Sequence, residues 1–231
     1  MHNTRQKNKS HWCITMNLLV IVLTSIVNIS AVHAGPEGAK VVSGDVSIQA
    51  SGNNTTIIAS DNAIINYSKF DIARPEIVRF IQPGIEASVL NRIQSANPTM
   101  IDGTLLANGS VFFVNPAGVI IGNGARINVN RLVASALDIT NSDFLNGNDR
   151  FAGGYGPVIN RGNITAEQVA MIGREIVNSG TINCPAGYVV MASGDRVFLG
   201  EPHSDVMVEI EGDELPEDRA RELRLGGLER C

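Results

Sequence analysis

The sequence predicts an all-β fold, a right-handed parallel β-helix, on three observations. Charged residues make up 18% and aromatics 5%, while 23 glycines punctuate a text whose apolar residues are mostly Val, Ile, Leu and Ala. Between Lys40 and Leu199, apolar or alternating runs of three to six residues recur, each stopped by Gly or Asn. In the second half, one such segment repeats at an offset of 18 residues.

The runs are strands by length and by composition. Val46-Ser47-Ile48, Thr56-Ile57-Ile58, Ala63-Ile64-Ile65, Val111-Phe112-Phe113-Val114 and Val119-Ile120-Ile121 are too short for helices and rich in β-branched residues. The repeat turns those strands into a solenoid. Val158 to Ala166 recurs as Ile176 to Cys184, aligning Asn160 with Asn178, Gly162 with Gly180 and Ile164 with Ile182. Ala170 to Ile176 is echoed by Val190 to Val197 with one residue added. A unit of about 20 residues cannot bury its apolar face alone and must stack on its neighbours. Ile164 is therefore expected over Ile182, and Asn160 over Asn178, about 4.8 Å apart. A sandwich or barrel would show longer strands at hairpin spacing and no such period. At the corners, Asn160, Gly162, Asn178 and Gly180 are expected to supply left-handed backbone. The period predicts eight or nine coils and a stack about 40 Å long.

Two stretches depart from the repeat. Residues 70–97 are expected to form an extra-helical hairpin or cover, and Lys40 to Ile48 to supply N-terminal capping strands that close the first coil's open edge. Residues 141–156 read as a solvated loop. Asp143 and Asp149 lie there, but no EF-hand or nonapeptide calcium motif accompanies them, so no metal site is expected. Beyond Leu199 the character changes to an acidic tail, 201–231. Glu209 to Glu214 is acidic, and Glu217 to Leu225, after Pro216 and before Gly226, reads either as a short amphipathic helix or as disorder.

The first 34 residues read as a signal peptide. Arg5, Lys7 and Lys9 precede an apolar run from Ile14 to Val27, and Val32-His33-Ala34 offers small residues at −3 and −1. The run is shorter than the ~20 apolar residues a spanning helix needs. Cleavage between Ala34 and Gly35 would leave a domain over 35–200 and then the tail, with no membrane insertion. It would also remove three basic residues and no acid, leaving 15 basic against 23 acidic residues and shifting the formal charge from −5 to −8. Such a balance repels phosphate backbones, so nucleic acid is an improbable partner. Cys184 and Cys231 remain, too few for a disulfide framework, and two unpaired thiols are the simpler expectation.

Parallel β-helices also host polysaccharide lyases and hydrolases, which need paired carboxylates or a calcium–arginine cluster on consecutive coils. Here acids are sparse in the coils, and His203, beyond the repeats, is the one histidine left after leader removal. Arg174 and Arg196 read as solvated corner residues, and Asp195 beside Arg196 as a surface pair. No catalytic residue, cofactor or metal is expected.

The most specific stretch is Ile101 to Leu137. Within it, Asn115 can bond to backbone two residues on, Pro116 fixes φ at the first turn position, and Gly118 gives freedom at the exit. This stretch, with Ala63 to Ile72, Asn91 to Ile93, Asp143 to Leu145 and the Asn-x-Gly-x-Ile repeats, closely resembles the filamentous haemagglutinin N-terminal domain. That is the secretion domain of two-partner secretion exoproteins, and the resemblance spans about 40–199. Ala117 stands where the family usually has Asn.

The resemblance implies that Sec delivers the chain to the periplasm and that the POTRA domains of an outer-membrane β-barrel transporter bind it unfolded. It would then fold outside the cell, as the leading part of a haemagglutinin-like adhesin or similar exoprotein facing a host or neighbouring cell. Asn115, Pro116 and Gly118 are the implied recognition and turn residues. The alternative is a freestanding structural or adhesive β-helix, or a fragment without a passenger, because no repetitive shaft follows the coils before Cys231.

Overall fold

The computed structural model describes residues 35–200 and the backbone of 208–211. The expected leader and the expected helix at 217–225 lie outside the described residues. The described part is a parallel β-helix of six coils with three strand faces.

The first face stacks Asn54–Ala59, Ile77–Ile81, Thr104–Ala107, Arg126–Asn128, Asn163–Thr165 and Thr181–Asn183, all parallel. The second stacks Ala63–Tyr67, Ser88–Ile93, Ser110–Val114, Arg131–Ser135, Gln168–Gly173 and Tyr188–Ser193. The third is shorter, running Thr99–Ile101, Val119–Ile121, Pro157–Asn160 and Glu175–Asn178. An isolated bridge from Ile72 to Ile101 extends it towards the first coil.

The register bears out the repeat: Ile164 stacks on Ile182, and Asn160 on Asn178. The coil number does not follow from it. Stacked residues are 18 apart from Ile164 to Ile182, but 23 from Thr55 to Val78, 27 from Val78 to Leu105 and 22 from Leu105 to Ile127. Ile127 to Ile164 takes 37, because an excursion leaves the fourth coil. The visible repeat is thus the tightest coil, and the expected eight or nine reduce to six, a stack of about 25 Å at strand spacing.

Residues 70–97 form no hairpin. Ile77–Ile81 and Ser88–Ile93 are ordinary rungs of the first and second faces. The excursion comes from the segment read as a solvated loop. Asp138–Ile139 and Asp149–Ala152 pair antiparallel around a one-turn helix, Asn141–Leu145, which Thr140 caps through the Asp143 amide. Arg196–Leu199 leaves the sixth coil to join this sheet, and Val208–Glu211, within the expected tail, adds its fourth strand.

The capping strands lie where expected. Lys40–Ser43 runs antiparallel to Ala63–Tyr67, and Val46–Ser51 antiparallel to Asn54–Ala59. Pro36–Glu37 adds a short antiparallel pairing with Lys69–Phe70.

The described residues form two cores. Inside the coils, Ile57, Val78, Leu105, Ile127 and Ile164 line one wall, and Tyr67, Phe70, Phe80 and Phe113 meet edge to face with centroids 4.9–6.4 Å apart. Outside the second face, Ile64, Leu90, Phe112, Val133 and Ala170 pack beneath Ile139, Phe144, Phe151, Val197 and Leu199 of the extra-helical layer. The second face is therefore buried on both sides, which explains strands without alternation. Ser110–Val114 is buried throughout, whereas Ile77–Ile81 on the uncovered first face alternates.

Candidate functional site

The Asn115–Gly118 corner joins the second and third faces of the third coil. Asn115 is fully buried, and all its polar atoms are engaged. Its Oδ1 accepts from the Ala117 amide at 3.0 Å, the bond to backbone two residues on that its position in the turn predicts. Its Nδ2 donates to the Asn97 carbonyl (3.0 Å) and to Thr99 Oγ1 (3.1 Å) in the preceding coil. Its backbone amide donates to the Ser135 carbonyl of the next coil, and its own carbonyl closes the turn on the Gly118 amide. One residue, through its side chain and its backbone amide, thus ties three coils.

Pro116 offers its carbonyl to the amides of Tyr155 and Gly156, where the excursion returns. Gly118 has φ of 121°, and a Cβ there would also stand 2.7 Å from the Pro157 carbonyl oxygen. Ala117 is buried as well, so the smaller residue at that position sits within packing.

The Asn160–Gly162 corner repeats the device one coil on. Asn160 is buried, its Oδ1 accepts from the Gly162 amide at 3.0 Å, and its Nδ2 donates to Asn178 Oδ1 at 2.9 Å. The left-handed backbone expected at these repeat corners is not found: neither Asn160, Asn178, Gly162 nor Gly180 has positive φ. Close stacking selects the glycines instead. A Cβ on Gly162 would lie 2.6 Å from the Gly122 carbonyl oxygen, and one on Gly180 would overlap the Gly162 carbonyl oxygen.

Four coil carboxylates act as turn acceptors. Asp61 takes the Asn62 and Ser88 amides, Asp71 the Met100 amide, Glu76 the Ala73 amide, and Asp102 the Gly124 amide. Asp195, expected beside Arg196, forms an ion pair with Arg174 of the preceding coil. Among the described residues, no group of three His, Cys, Asp or Glu is placed to hold a metal. Cys184 is a half-buried free thiol, its pKa pushed up by burial and by Glu167. Cys231 and Ala34 lie outside the described residues, and Gly35 is the first residue described.

Sequence reasoning missed the ties that dock the extra-helical layer. Arg131 forms a buried ion pair with Asp149 and lies over the Phe112 ring, 5.1 Å from its centroid. Arg92 bonds to Asp138 at 2.9 Å, to Asn141 at 2.7 Å and to the Ile139 carbonyl. The signal lay in the unbroken apolar runs of the second face, which call for cover on both sides. A cleft of about 440 Å³ opens on the extra-helical sheet, lined by Asp138, Asp143, Arg150, Arg196 and Phe198 among others. Arg150 stacks on Phe198 there, and Asp143 bonds to Thr140 at 2.6 Å.

A capped parallel β-helix with a buried Asn-Pro corner and an extra-helical sheet defines a β-solenoid domain. Residues 32–212 match the family model of the TPS secretion domain, and the chain belongs to that family. The resemblance to the two-partner secretion domain, strongest over Ile101 to Leu137, is thereby borne out. The crystal structure of the HMW1 secretion domain from Haemophilus influenzae is similar, with a TM-score of 0.74 and 33% identity over 77% of this chain and 50% of that one.

A heme/hemopexin-binding protein of Haemophilus influenzae strain Rd is 33% identical over 207 residues, covering 83% of this chain and 23% of the relative. A second heme/hemopexin-binding protein from Haemophilus influenzae is 36% identical over 126 residues, covering 54% of this chain and 14% of the relative. The chain thus spans less than a quarter of either curated relative. Its family is a secretion-domain family of exoproteins exported by two-partner secretion, which implies an outer-membrane transporter as partner.

Proposed function

We propose that residues 35–200 are read by the periplasmic POTRA domains of a dedicated outer-membrane β-barrel transporter while the chain is unfolded, and fold as a β-helix outside the cell. In this reading Sec exports the chain, the leader ends at Ala34, and Asn115, Pro116 and Gly118 take part in recognition. The observation that carries it is the burial of the corner: Asn115 is wholly enclosed and its amide fully bonded, so a partner can read it only before folding. Short apolar strands suit such an encounter, because an extended chain can add to a partner's sheet edge.

The role is binding and delivery, without catalysis; Asp61, Asp71, Glu76 and Asp102 of the coils are already engaged by backbone amides. Adhesion belongs to the same proposal at the level of the whole exoprotein. So does the heme or hemopexin binding for which the relatives are named, since this chain spans under a quarter of them.

The test is binding of the cognate transporter's POTRA domains to the leaderless chain, held unfolded in moderate urea or fully folded. Capture of the unfolded chain, at least tenfold weakened by Asn115→Ala, is expected. Equal or better capture of the folded domain would sink the proposal.

A further inference from the structure

Among the described residues, the N-terminal cap ends in two strands that each pair on one side only, and the chain treats them differently. Lys40–Ser43, the end strand of the second face, begins with a lysine and carries a register shift between Val41 and Ser43. A charge and a bulge are standard protections of a sheet edge. Val46–Ser51, the end strand of the first face, has neither. It pairs in unbroken register with Asn54–Ala59 on one side, and its residues after Val46 are exposed. It holds no charge and no proline.

Its two faces are sorted. Val46 packs against the inner core, and Ile48 and Ala50 line a cleft of about 200 Å³ beside Pro36 and Val78. Ser47, Gln49 and Ser51 take the alternate positions on the polar side. Ile48 remains 39% exposed although it stands opposite the fully buried Ile57, so the inner core is incompletely closed at this end.

We infer that Val46–Ala50 is an edge that pairs antiparallel with the same strand of a second copy, about a two-fold axis through Ile48. The register argues for a copy. Directly opposed residues of antiparallel strands share a face. Centring on Ile48 sets Ile48 against Ile48, Val46 against Ala50 and Ser47 against Gln49, apolar with apolar and polar with polar. A one-residue slip would set Ile48 against Gln49 and mix the faces. The uncharged strand brings no like charges together, and an isologous contact closes both edges at once. Five paired residues bury far less than the ~800 Å² per partner of a stable interface, so the dimer is weak and concentration-dependent.

The experiment uses the leaderless chain with Cys184 and Cys231 as serine. Ile48→Cys is expected to give a disulfide-linked dimer under mild oxidation. The Cβ atoms of a directly opposed pair lie about 4.5–5.5 Å apart, and a small shift of so short a pairing brings them within the ~3.5–4.5 Å that a disulfide spans. Gln49→Cys, whose opposite residue is Ser47, is expected not to link. Without added cysteines, sedimentation at rising concentration should show reversible dimers with slowed amide exchange at 46–50. Ile48→Lys, which opposes two lysines, should weaken them at least tenfold while leaving the folded spectrum unchanged. A monomer up to several hundred micromolar, linking at both cysteines or neither, or a dimer indifferent to Ile48→Lys would each overturn the inference.

Discussion

At the residue scale, Asn115 shows how one residue can hold three coils. Replacing it by Ala leaves the Ala117 amide, the Asn97 carbonyl and Thr99 without their buried partner. Asn97 is exposed, so its carbonyl can turn to water. The Ala117 amide and Thr99 are buried, and each costs about 1–3 kcal/mol when unsatisfied. Asn115→Ala should therefore destabilise the folded domain by about 2–6 kcal/mol, seen as a lower urea midpoint. An unchanged midpoint would show that the corner relaxes around the loss.

Tyr67 sets an alkaline limit. Its ring is fully buried edge-on to Phe70, its hydroxyl has no partner among the described residues, and burial drives its pKa strongly upward. Below about pH 10 the phenol is protonated in both folded and unfolded chains. Above that, only the unfolded chain releases the proton readily, so stability falls as pH rises. Tyr67→Phe keeps the ring contact and should move the alkaline unfolding midpoint upward, measured by near-ultraviolet circular dichroism between pH 9 and 12.

At the element scale, the second face is the structural spine, since it carries a core on each side. Arg131 and Asp149 pin the outer layer to it, with side chains 12% and 7% exposed. Such a pair adds little over a well-packed apolar pair, but breaking it strands a buried charge. Arg131→Met alone should cost about 3–5 kcal/mol, and Arg131→Met/Asp149→Leu should recover most of that, as chemical denaturation of the two variants would report. Equal destabilisation would mean that the stacking of Arg131 on Phe112, and not the ion pair, holds the layer.

The strands themselves were legible because β-branched runs and Gly/Asn stops are local signals. The partner of each run was not. Ser110–Val114 reads the same whether its second side meets a neighbouring sheet or solvent, and the cover comes from 138–152 and 196–199, distant in sequence. That is why residues 141–156 read as a loop and 70–97 as the departure from the repeat.

At the scale of the whole molecule, the coils, cap and outer layer form the family's secretion domain, and the corner that the resemblance marks lies inside it. The sequence by itself determined the all-β class, the stacking of Asn160 on Asn178 and of Ile164 on Ile182, the capping strands and the Asn115 turn. All of these follow from local backbone preference and from side chains that bond within two residues or one coil. Only the tertiary structure decided that there are six coils, that corner glycines are chosen for close stacking, and which segment leaves the helix to build a second core. Those outcomes depend on how far the chain travels before it returns to a rung. Burial energy depends on which surfaces finally meet, and a period read along the text does not contain that distance.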